Sequence, residues 1–394
     1  MEQSIEGLVQ QVVKETKVYN CLECGKCTSG CPVARIDEDY SPRRTIENMF
    51  FDLKSLLSGS EIWNCLTCYI CDIRCPSNVR FSEFVRALRR IVTSFKLRDV
   101  RAYSLLPSVL LEMMEDPEIQ RNRLGWIQSD AKISKRGDIA YFVGCLPYFD
   151  ALFEPISMRA TRITQAVLSI LNKANIAPVV LVNEKCCGHD ALWSGNQDVF
   201  EKLARENTEN LKDAGVRKVL VGCPECFRTL KIDCAEFLGS LDFEVVHMSE
   251  FLVNLLEKDK IKFKELPKEK IAYHDPCRLT RHLKIHEAPR AILNKISGLE
   301  LVEMERSREE SLCCGVSSWL NCGEVREHLQ LTKLRDIKAK GVNKMVTTCP
   351  KCQIHFTCFL REKGSQIPLN DTRLEICDLF TIVDEASIRV GEPL

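Results

Sequence analysis

The chain has 394 residues, 45% of them apolar, which is enough for two or three compact domains that each bury a core. Lys plus Arg and Asp plus Glu each total 55, so the net charge is zero, which excludes a general attraction to nucleic acid or anionic lipid. Residues 1–17 lack the pattern of a secretory signal, and no stretch reaches about 18 uninterrupted apolar residues. The sequence therefore predicts a cytoplasmic protein without direct membrane insertion, attached to a membrane only if a partner holds it there.

The 22 cysteines are too many for an ordinary reduced cytosolic protein, and the chain is too long for a small disulfide scaffold. Metal clusters are the preferred interpretation. Disulfides in an exported protein are the alternative, and the absence of a signal pattern makes them much less favoured.

The first hundred residues carry the motif C-x2-C-x2-C-x3-C-P twice. The first copy is Cys21, Cys24, Cys27 and Cys31 before Pro32, and the second is Cys65, Cys68, Cys71 and Cys75 before Pro76. In this motif three cysteines bind one cubane and the fourth binds the other cubane. One [4Fe-4S] cluster is thus assigned to Cys21, Cys24, Cys27 and Cys75, and the second to Cys65, Cys68, Cys71 and Cys31.

Tetrahedral zinc is the rival for these cysteines, but paired C-x2-C knuckles leave the C-x3-C-P part without a role. The segment between the motifs predicts a helix that begins near Pro42, because Ile46, Met49, Phe50 and Leu53 follow at helical spacing. A second helix is predicted from Phe81 to Phe95. Its apolar stripe would face the core, and Arg86, Arg89 and Arg90 would form a solvated basic face.

Four segments are expected along the chain: a helical two-cubane ferredoxin-like domain (1–100), a helical connector (101–136), and two cysteine-rich domains (137–262 and 263–394). The last two rest on a repeated five-cysteine unit with the adjacent pair C-C-G at its centre. Its copies are Cys145, Cys186, Cys187, Cys223, Cys226 and Cys277, Cys313, Cys314, Cys349, Cys352. The offset of 126 or 127 residues between most equivalent cysteines indicates an internal duplication.

Short apolar runs precede the cysteines of both copies. Strands are predicted at 140–143, 179–182 and 271–273, and further strands follow Gly215 and Gly341, which are expected to cap helices. Helices such as 163–171 alternate with the strands. The expected fold class is therefore a helical bis-[4Fe-4S] ferredoxin-like domain followed by two duplicated α/β domains, with cysteines gathered where strands end.

Five thiolates exceed the four that a cubane needs. Each unit therefore holds either an unusual, more open cluster or a cubane with a spare redox-active cysteine. Zinc, in place of one cluster, remains the alternative.

The double C-C-G pattern resembles the cysteine-rich domains that occur twice in the catalytic subunit of heterodisulfide reductase. The N-terminal part, with Ser41-Pro42-Arg43-Arg44 and Trp63-Asn64-Cys65-Leu66-Thr67-Cys68, resembles the small two-cubane subunit of the same enzyme. The chain is thus similar to a fusion of both subunits over nearly its whole length.

This resemblance implies a noncubane [4Fe-4S] cluster in each five-cysteine unit, and a cavity between them where a disulfide is split. The ten cysteines of the two units would then be the catalytic ligands. His189 and His274, the histidines nearest the units, are candidate proton donors to a departing thiolate, although packing or hydrogen-bonding roles are about twice as frequent. Cys234, Cys322, Cys358 and Cys377 lie outside the motifs and are interpreted as buried small hydrophobes.

The leading hypothesis is a disulfide reductase acting on a substrate such as the coenzyme M/coenzyme B heterodisulfide. Since no G-x-G-x-x-G fingerprint is present, electrons are expected from a flavin-containing subunit or a membrane b-type cytochrome. The alternatives are a noncatalytic relay for sulphur metabolism or aromatic acyl-CoA reduction, and a zinc-stabilised scaffold in which only the two cubanes are active.

Overall fold

The computed structural model describes residues 4–97, 114, 123–320, 323–362 and 374–391. Its contacts divide the chain into two compact units. The N-terminal unit comprises Met1–Glu112 with the inserted segments Gly188–Phe200 and Leu312–Thr332. The α/β unit comprises Met113–Cys187, Glu201–Ser311 and Lys333–Leu394.

Seven α-helices lie within residues 4–97. They are α1 (Ile5–Thr16), α2 (Lys26–Gly30), α3 (Pro42–Phe51), α4 (Leu53–Ser58), α5 (Glu61–Asn64), α6 (Ile70–Arg74) and α7 (Phe81–Ser94). Helix α3 begins with Pro42 at its first position, and the Ser41 hydroxyl accepts a hydrogen bond from the Arg44 N–H. The predicted helices near Pro42 and after Phe81 are therefore present.

Helices and strands alternate through the rest of the described chain. The helices are α8 (Leu146–Leu152), α9 (Thr161–Lys173), α10 (His189–Trp193), α11 (Gln197–Asp213), α12 (Pro224–Arg228), α13 (Ala235–Leu238), α14 (Met248–Glu257), α15 (Cys277–Thr280), α16 (Glu287–Asn294), α17 (Glu324–Ala339), α18 (Pro350–Arg361) and α19 (Leu379–Ala386). The strands are β1 (Ile139–Phe142), β2 (Lys218–Val221), β3 (Glu244–His247), β4 (Ile261–Phe263), β5 (Glu269–His274), β6 (Leu299–Leu301), β7 (Lys344–Thr347), β8 (Glu375–Asp378) and β9 (Ser387–Arg389).

The α/β unit contains two parallel sheets. The first has the order β1-β2-β3 and the second has the order β6-β5-β7-β8, whereas β4 and β9 form a separate antiparallel pair. Cys145 and Cys223 follow β1 and β2, and Cys277 and Cys349 follow β5 and β7. Because parallel strands end at the same edge of a sheet, each sheet brings its own cysteines to one edge. The predicted fold class is confirmed, including the strands at 140–143 and 271–273.

The predicted strand at 179–182 is wrong. Only Val179 forms isolated bridges, to Ser134 and Ala140, and Val182 is exposed. Pro178 has no N–H to donate, and the chain then turns so that Glu184 reaches the backbone N–H groups of Val143 and Gly144. Residues 179–182 therefore do not form a strand beside β1, because the residues that follow bind the loop after β1 instead.

The predicted solvated basic face of α7 is also wrong in part. Arg90 is exposed, but Arg89 is fully buried, and its guanidinium donates to the carbonyls of Ile62, Cys65 and Trp193. The helix therefore directs one cation into the core, because the end of α5 leaves carbonyl groups there that need donors.

The predictions on the cysteines outside the motifs and on the connector are confirmed only in part. Cys234 is buried as predicted, but Cys358 and Cys377 are half-buried, and Cys322 lies outside the described residues. Most of the connector also lies outside them, and its described part at 123–136 forms turns and one bridge. The four-segment division of the chain stays a prediction.

No helix in the described portion is long and apolar enough to cross a membrane.

Candidate iron-sulphur centres

The two C-x2-C-x2-C loops adopt the same backbone path. Gly25 (φ 74°) and Tyr69 (φ 66°) occupy left-handed conformations just before α2 and α6, at equivalent positions of the motifs. In the first loop the Glu23 N–H donates to Cys21 Sγ at 3.4 Å, and in the second the Thr67 N–H donates to Cys65 Sγ at 3.3 Å. Such backbone donors to sulphur stabilise added negative charge on a cluster.

The four cysteines assigned to the first cubane line one cavity of the N-terminal unit, together with Cys71. They are Cys21, Cys24, Cys27 and Cys75. Cys24 is exposed and the other three are half-buried, while Leu22 beside them is 70% exposed. The structure therefore brings this set together near the surface of its unit.

The four cysteines assigned to the second cubane are all buried: Cys31, Cys65, Cys68 and Cys71. Burial raises the pKa of the Cys31 thiol, and the neighbouring Cys68 and Cys65 raise it further. Burial likewise raises the pKa of Cys71, with contributions from Cys65, Cys68 and Cys31. These mutual effects show that the four thiols lie close together, where bound iron would favour the thiolate form.

Cys65 differs from its neighbours because a cation and a hydroxyl lie beside it. Burial raises the pKa of the Cys65 thiol to about 11, while the Arg89 guanidinium and the Tyr40 hydroxyl oppose that rise. Arg89 Nη2 donates to the Cys65 carbonyl at 2.7 Å, and the Ser317 hydroxyl donates to the same oxygen at 3.1 Å. Arg89 also lies 5.3 Å from the centroid of the Trp63 ring.

The first five-cysteine set lies entirely within the α/β unit. Cys145 Sγ is 4.0 Å from Cys186 Sγ, and the Cys226 thiol forms hydrogen bonds with Cys187 and Cys223 that raise its pKa. A Cβ atom on Gly144 (φ 66°) would stand 3.0 Å from Cys226 Sγ, so this position requires glycine. All five predicted residues are therefore brought together.

Buried polar groups hold the two loops of this set. The Glu184 carboxylate accepts from Gly144 N at 2.8 Å and pairs with Arg123, which donates to the Gly144 carbonyl at 2.6 Å. Asn207 accepts from Lys185 N at 2.8 Å and donates to the Cys186 carbonyl at 2.9 Å. Both loops are thus fixed independently of the thiols.

The second five-cysteine set is distributed over both units. Cys277 begins α15, Cys349 caps α18 and Cys352 lies in the first turn of that helix, all in the α/β unit. Cys313 and Cys314 are buried in the N-terminal unit, where Gly315 N donates to Cys313 Sγ at 3.4 Å.

A buried ion pair joins the two C-P-x-C helices of the α/β unit. Lys351 Nζ is 2.6 Å from Glu225 Oε2, and the two side chains are 4% and 6% exposed. These residues occupy the same x position in the two copies, at the first turns of α12 and α18. The two helices therefore lie side by side at their cysteine-bearing ends.

Both candidate proton donors are buried. His189 Nδ1 is 3.2 Å from Asp190 Oδ1, and its ring stacks on Trp193 with centroids 6.1 Å apart. His274 ends β5 and meets the Phe356 ring edge-on at 5.0 Å. Their packing contacts agree with the more frequent structural role, and their role as proton donors stays a prediction.

The donor chemistry of these sites fits iron-sulphur clusters, because each assembled set consists of soft thiols that thiophilic iron prefers. Sequence reasoning missed Arg89, Tyr40, Glu184 and Asn207, which carry no motif. The sequence did contain a pattern that indicates their contact for Glu225 and Lys351, because they carry opposite charges at the same position of the two C-P-x-C motifs.

Known protein families match the cysteine motifs of this chain. The sequence matches the cysteine-rich domain CCG at residues 139–231 and 271–357, and the 4Fe-4S dicluster domain at residues 17–79. The two models coincide with the repeated five-cysteine units and with the double C-P motif. The assignment of individual ligands is not given by these matches.

Similar proteins include subunits of two named reductases and a named quinone oxidoreductase. The chain is 31% identical to the D subunit of the dihydromethanophenazine:CoB–CoM heterodisulfide reductase of Methanosarcina mazei, covering 89% of this chain and 91% of that protein. It is 28% identical to the B subunit of the fumarate reductase (CoM/CoB) of Methanothermobacter marburgensis (88% and 69% covered). It is 26% identical to EtfAB:quinone oxidoreductase of Syntrophomonas wolfei (84% and 54% covered).

Among solved structures, a hypothetical protein from Helicobacter pylori is similar with a TM-score of 0.54. The match covers 99% of this chain and 77% of that one at 10% identity, so it concerns the fold alone.

Proposed function

Since this chain belongs to the family of heterodisulfide reductase D subunits, we propose that it is the electron-transferring and catalytic component of a complex that reduces a disulfide. The chain is an iron-sulphur protein of oxidoreductase type. The proposal adds two cubane and two noncubane [4Fe-4S] clusters, and a substrate such as the coenzyme M/coenzyme B heterodisulfide.

The single observation that carries the proposal is the assembly of Cys145, Cys186, Cys187, Cys223 and Cys226 at the end of a parallel sheet. Five thiols in one place exceed what a zinc ion or a simple cubane needs. For the second unit, the ligand set Cys277, Cys313, Cys314, Cys349 and Cys352 is proposed from the repeated sequence motif.

The buried pair of Lys351 with Glu225 supports a joint role for the two copies. It holds the first turns of α12 and α18 side by side, and these turns carry Cys226 and Cys352. A disulfide has two sulphur atoms, so a pair of sites held at a fixed separation suits its cleavage.

The clusters, when bound, would supply the electrons and accept the two sulphurs of the substrate. The protein's own residues ligate, fix the loops and control the charge around the sulphurs. Glu184 with Arg123 and Asn207 fix the loops of the first set. His189 and His274 are proposed to supply the protons that release the thiol products.

Electrons are proposed to arrive through the first cubane, because Cys24 is exposed whereas the cysteines of the second cubane are buried. Exposed Tyr19, Leu22, Phe50 and Phe51 lie in the same unit, and a donor protein would cover apolar groups of this kind. That donor is proposed to be a flavin-containing subunit or a membrane b-type cytochrome, which would act on the cytoplasmic side.

The test is an anaerobic assay of reduced viologen oxidation on addition of the coenzyme M/coenzyme B heterodisulfide, with simple disulfides for comparison. Cys187→Ala should abolish turnover, since it removes a ligand of the first set. Cys234→Ala, which changes a buried cysteine of the same unit outside the motif, should retain it. Turnover unchanged in Cys187→Ala would contradict the proposal.

Iron and sulphide content gives an independent measure. Four clusters predict about sixteen irons per chain, whereas two cubanes with zinc in the other sites predict about eight.

A relay function is the second candidate. Similar proteins include one named as a quinone oxidoreductase and one named as part of a fumarate reductase, so this architecture occurs with different acceptors. A fully loaded protein that exchanges electrons with partner proteins but turns over no disulfide would favour the relay.

A further inference from the structure

The buried hydroxyl of Tyr141, in the strand that leads to Cys145, has no hydrogen-bond partner within the described parts of the chain. Tyr141 is the third residue of β1, its side chain is 1% exposed, and its Oη atom is buried. A buried hydroxyl without a partner lowers stability, because the loss of its hydrogen bonds to water is not compensated. Such a group is either left unpaired in the folded protein or bonds to a bound ligand that the polypeptide itself does not supply.

Ionisable groups surround this hydroxyl, and none of them forms a hydrogen bond with it in the described parts of the chain. Burial raises the pKa of Tyr141 well above its usual value, and the acidic groups Asp378, Glu184, Cys226 and Cys223 raise it further. Two of these are thiols of the first set. Glu184 is already engaged by Arg123 and by two backbone N–H groups.

In the second copy of the repeat, the tyrosine at the equivalent position has a hydrogen-bond partner. Tyr273 is the third residue of the equivalent segment Ile-Ala-Tyr, and its Oη lies 3.0 Å from Thr348 Oγ1. The register is the same in both sheets: Tyr141 pairs with Leu220 and Tyr273 pairs with Val346. The counterpart of Thr348 is therefore Gly222, which has no side chain to offer.

The second cubane set provides a precedent for a tyrosine that serves a cysteine ligand. The buried Tyr40 hydroxyl forms a hydrogen bond with Cys65 and lowers the pKa of that thiol. A phenol is a donor of suitable strength for a metal-bound sulphur.

We propose that Tyr141 Oη donates a hydrogen bond to the sulphur atoms of the first noncubane cluster, and that Gly222 keeps this donor available. The inference rests on the proposed ligand set of that cluster. A hydrogen bond to sulphur stabilises the more negative, reduced state and raises the reduction potential. The duplicated sites are thereby made unequal, because Thr348 already engages the tyrosine of the second copy.

The experiment is an anaerobic, EPR-monitored redox titration of the full chain. The signal of the first unit is identified by its loss in Cys223→Ser. Tyr141→Phe removes only the hydroxyl, and the midpoint potential of that signal should fall. Tyr273→Phe is the matched control, and the potential of the second unit should change less.

Gly222→Ser is an independent variant that leaves Tyr141 intact. A Cβ atom at Gly222 would meet Phe380 at 3.4 Å, an ordinary contact, and the added hydroxyl would provide the partner that Thr348 provides in the other copy. The potential of the first unit should therefore fall in Gly222→Ser as it does in Tyr141→Phe.

The outcomes separate this inference from the proposed function. Full iron content and a normal signal, with the potential unchanged in Tyr141→Phe, would overturn the hydrogen bond and leave the ligand set standing. Equal shifts in Tyr141→Phe and Tyr273→Phe would also overturn it, because the two tyrosines would then be equivalent. Absence of the first-unit signal from the unmodified protein would instead overturn the ligand set itself.

Discussion

The first copy of the repeat ends its third parallel strand in His247, and the second copy ends its outer strand β8 in Asp378. Both side chains cap the helix that follows: His247 accepts from Ser249 N and Asp378 accepts from Phe380 N at 2.8 Å. Burial lowers the pKa of His247 to about 3 and raises the pKa of Asp378 to about 7. The same backbone position is thus served by a base that stays neutral down to acidic pH and by an acid that stays neutral up to about pH 7.

The comparison extends to the cysteine-bearing turns, where Glu225 in one copy faces Lys351 in the other. Duplication repeated the strands and the cysteine spacing, while the charged groups diverged so that the copies fit one another. Five experiments test this divergence between the copies.

The largest effect is expected from the ion pair. Lys351→Met would leave Glu225 buried without this cation, at a cost of about 3 kcal/mol or more in the free energy of unfolding. Anaerobic thermal unfolding measures the loss. The exposed pair of Lys212 with Asp242 is the control, and Lys212→Met should leave the unfolding temperature almost unchanged, since solvent screens this pair.

The charge exchange Glu225→Lys with Lys351→Glu sharpens this test. It should recover a large part of the lost stability, since the pair is rebuilt with its polarity reversed. No recovery would show that the two copies are not interchangeable at this position.

The loops that carry the C-C-G cysteines should respond next. Asn207→Ala orphans the Lys185 N–H and the Cys186 carbonyl in the first copy, at a cost of about 2 kcal/mol. In the second copy Gln330 donates to the Cys314 carbonyl at 3.4 Å, a longer bond than those of Asn207, so Gln330→Ala should have a smaller effect. Denaturation midpoints measure both, and equal losses would contradict the difference between the loops.

The pH dependence of the second copy follows from Asp378. The pKa of Asp378 in the folded protein, about 7, lies above its value in the unfolded chain. Its contribution to the free energy of unfolding is therefore present in acid and is lost as the pH rises through about 7. Between about pH 5.5 and pH 8 this amounts to about 2 kcal/mol. Asp378→Asn keeps an acceptor for Phe380 N and should abolish that part of the pH profile.

Through His247 in the first copy, the free energy of unfolding should depend on pH with the opposite sign and more weakly. His247 is neutral when folded, so stability is present above its unfolded pKa and falls as the pH decreases below about 6.5. From about pH 8 to pH 5.5 the loss is about 1 kcal/mol, and His247→Asn should remove it. The exposed His328 on α17 is the control, since His328→Asn should leave the profile unchanged.

The sequence alone determined the features that depend on spacing and periodicity. Cysteine spacing predicted the two loops before α2 and α6, and the repeat predicted parallel sheets with thiols at strand ends. Apolar periodicity predicted α7 and α9. The cysteine spacing and the apolar periodicity are local patterns, and the repeat is found by comparing two stretches of sequence, so none of them depends on a tertiary contact.

Only the tertiary structure decided how each cysteine set is surrounded. Arg89 belongs to the polar side of a helical pattern, yet it is buried because carbonyls from α5 and from Trp193, distant in sequence, meet there. Tyr141 and Tyr273 occur in the same tripeptide, and they differ in the residue that follows the neighbouring strand, Gly222 or Thr348. Burial and hydrogen bonding depend on residues brought together from distant parts of the chain, and no local pattern contains that information.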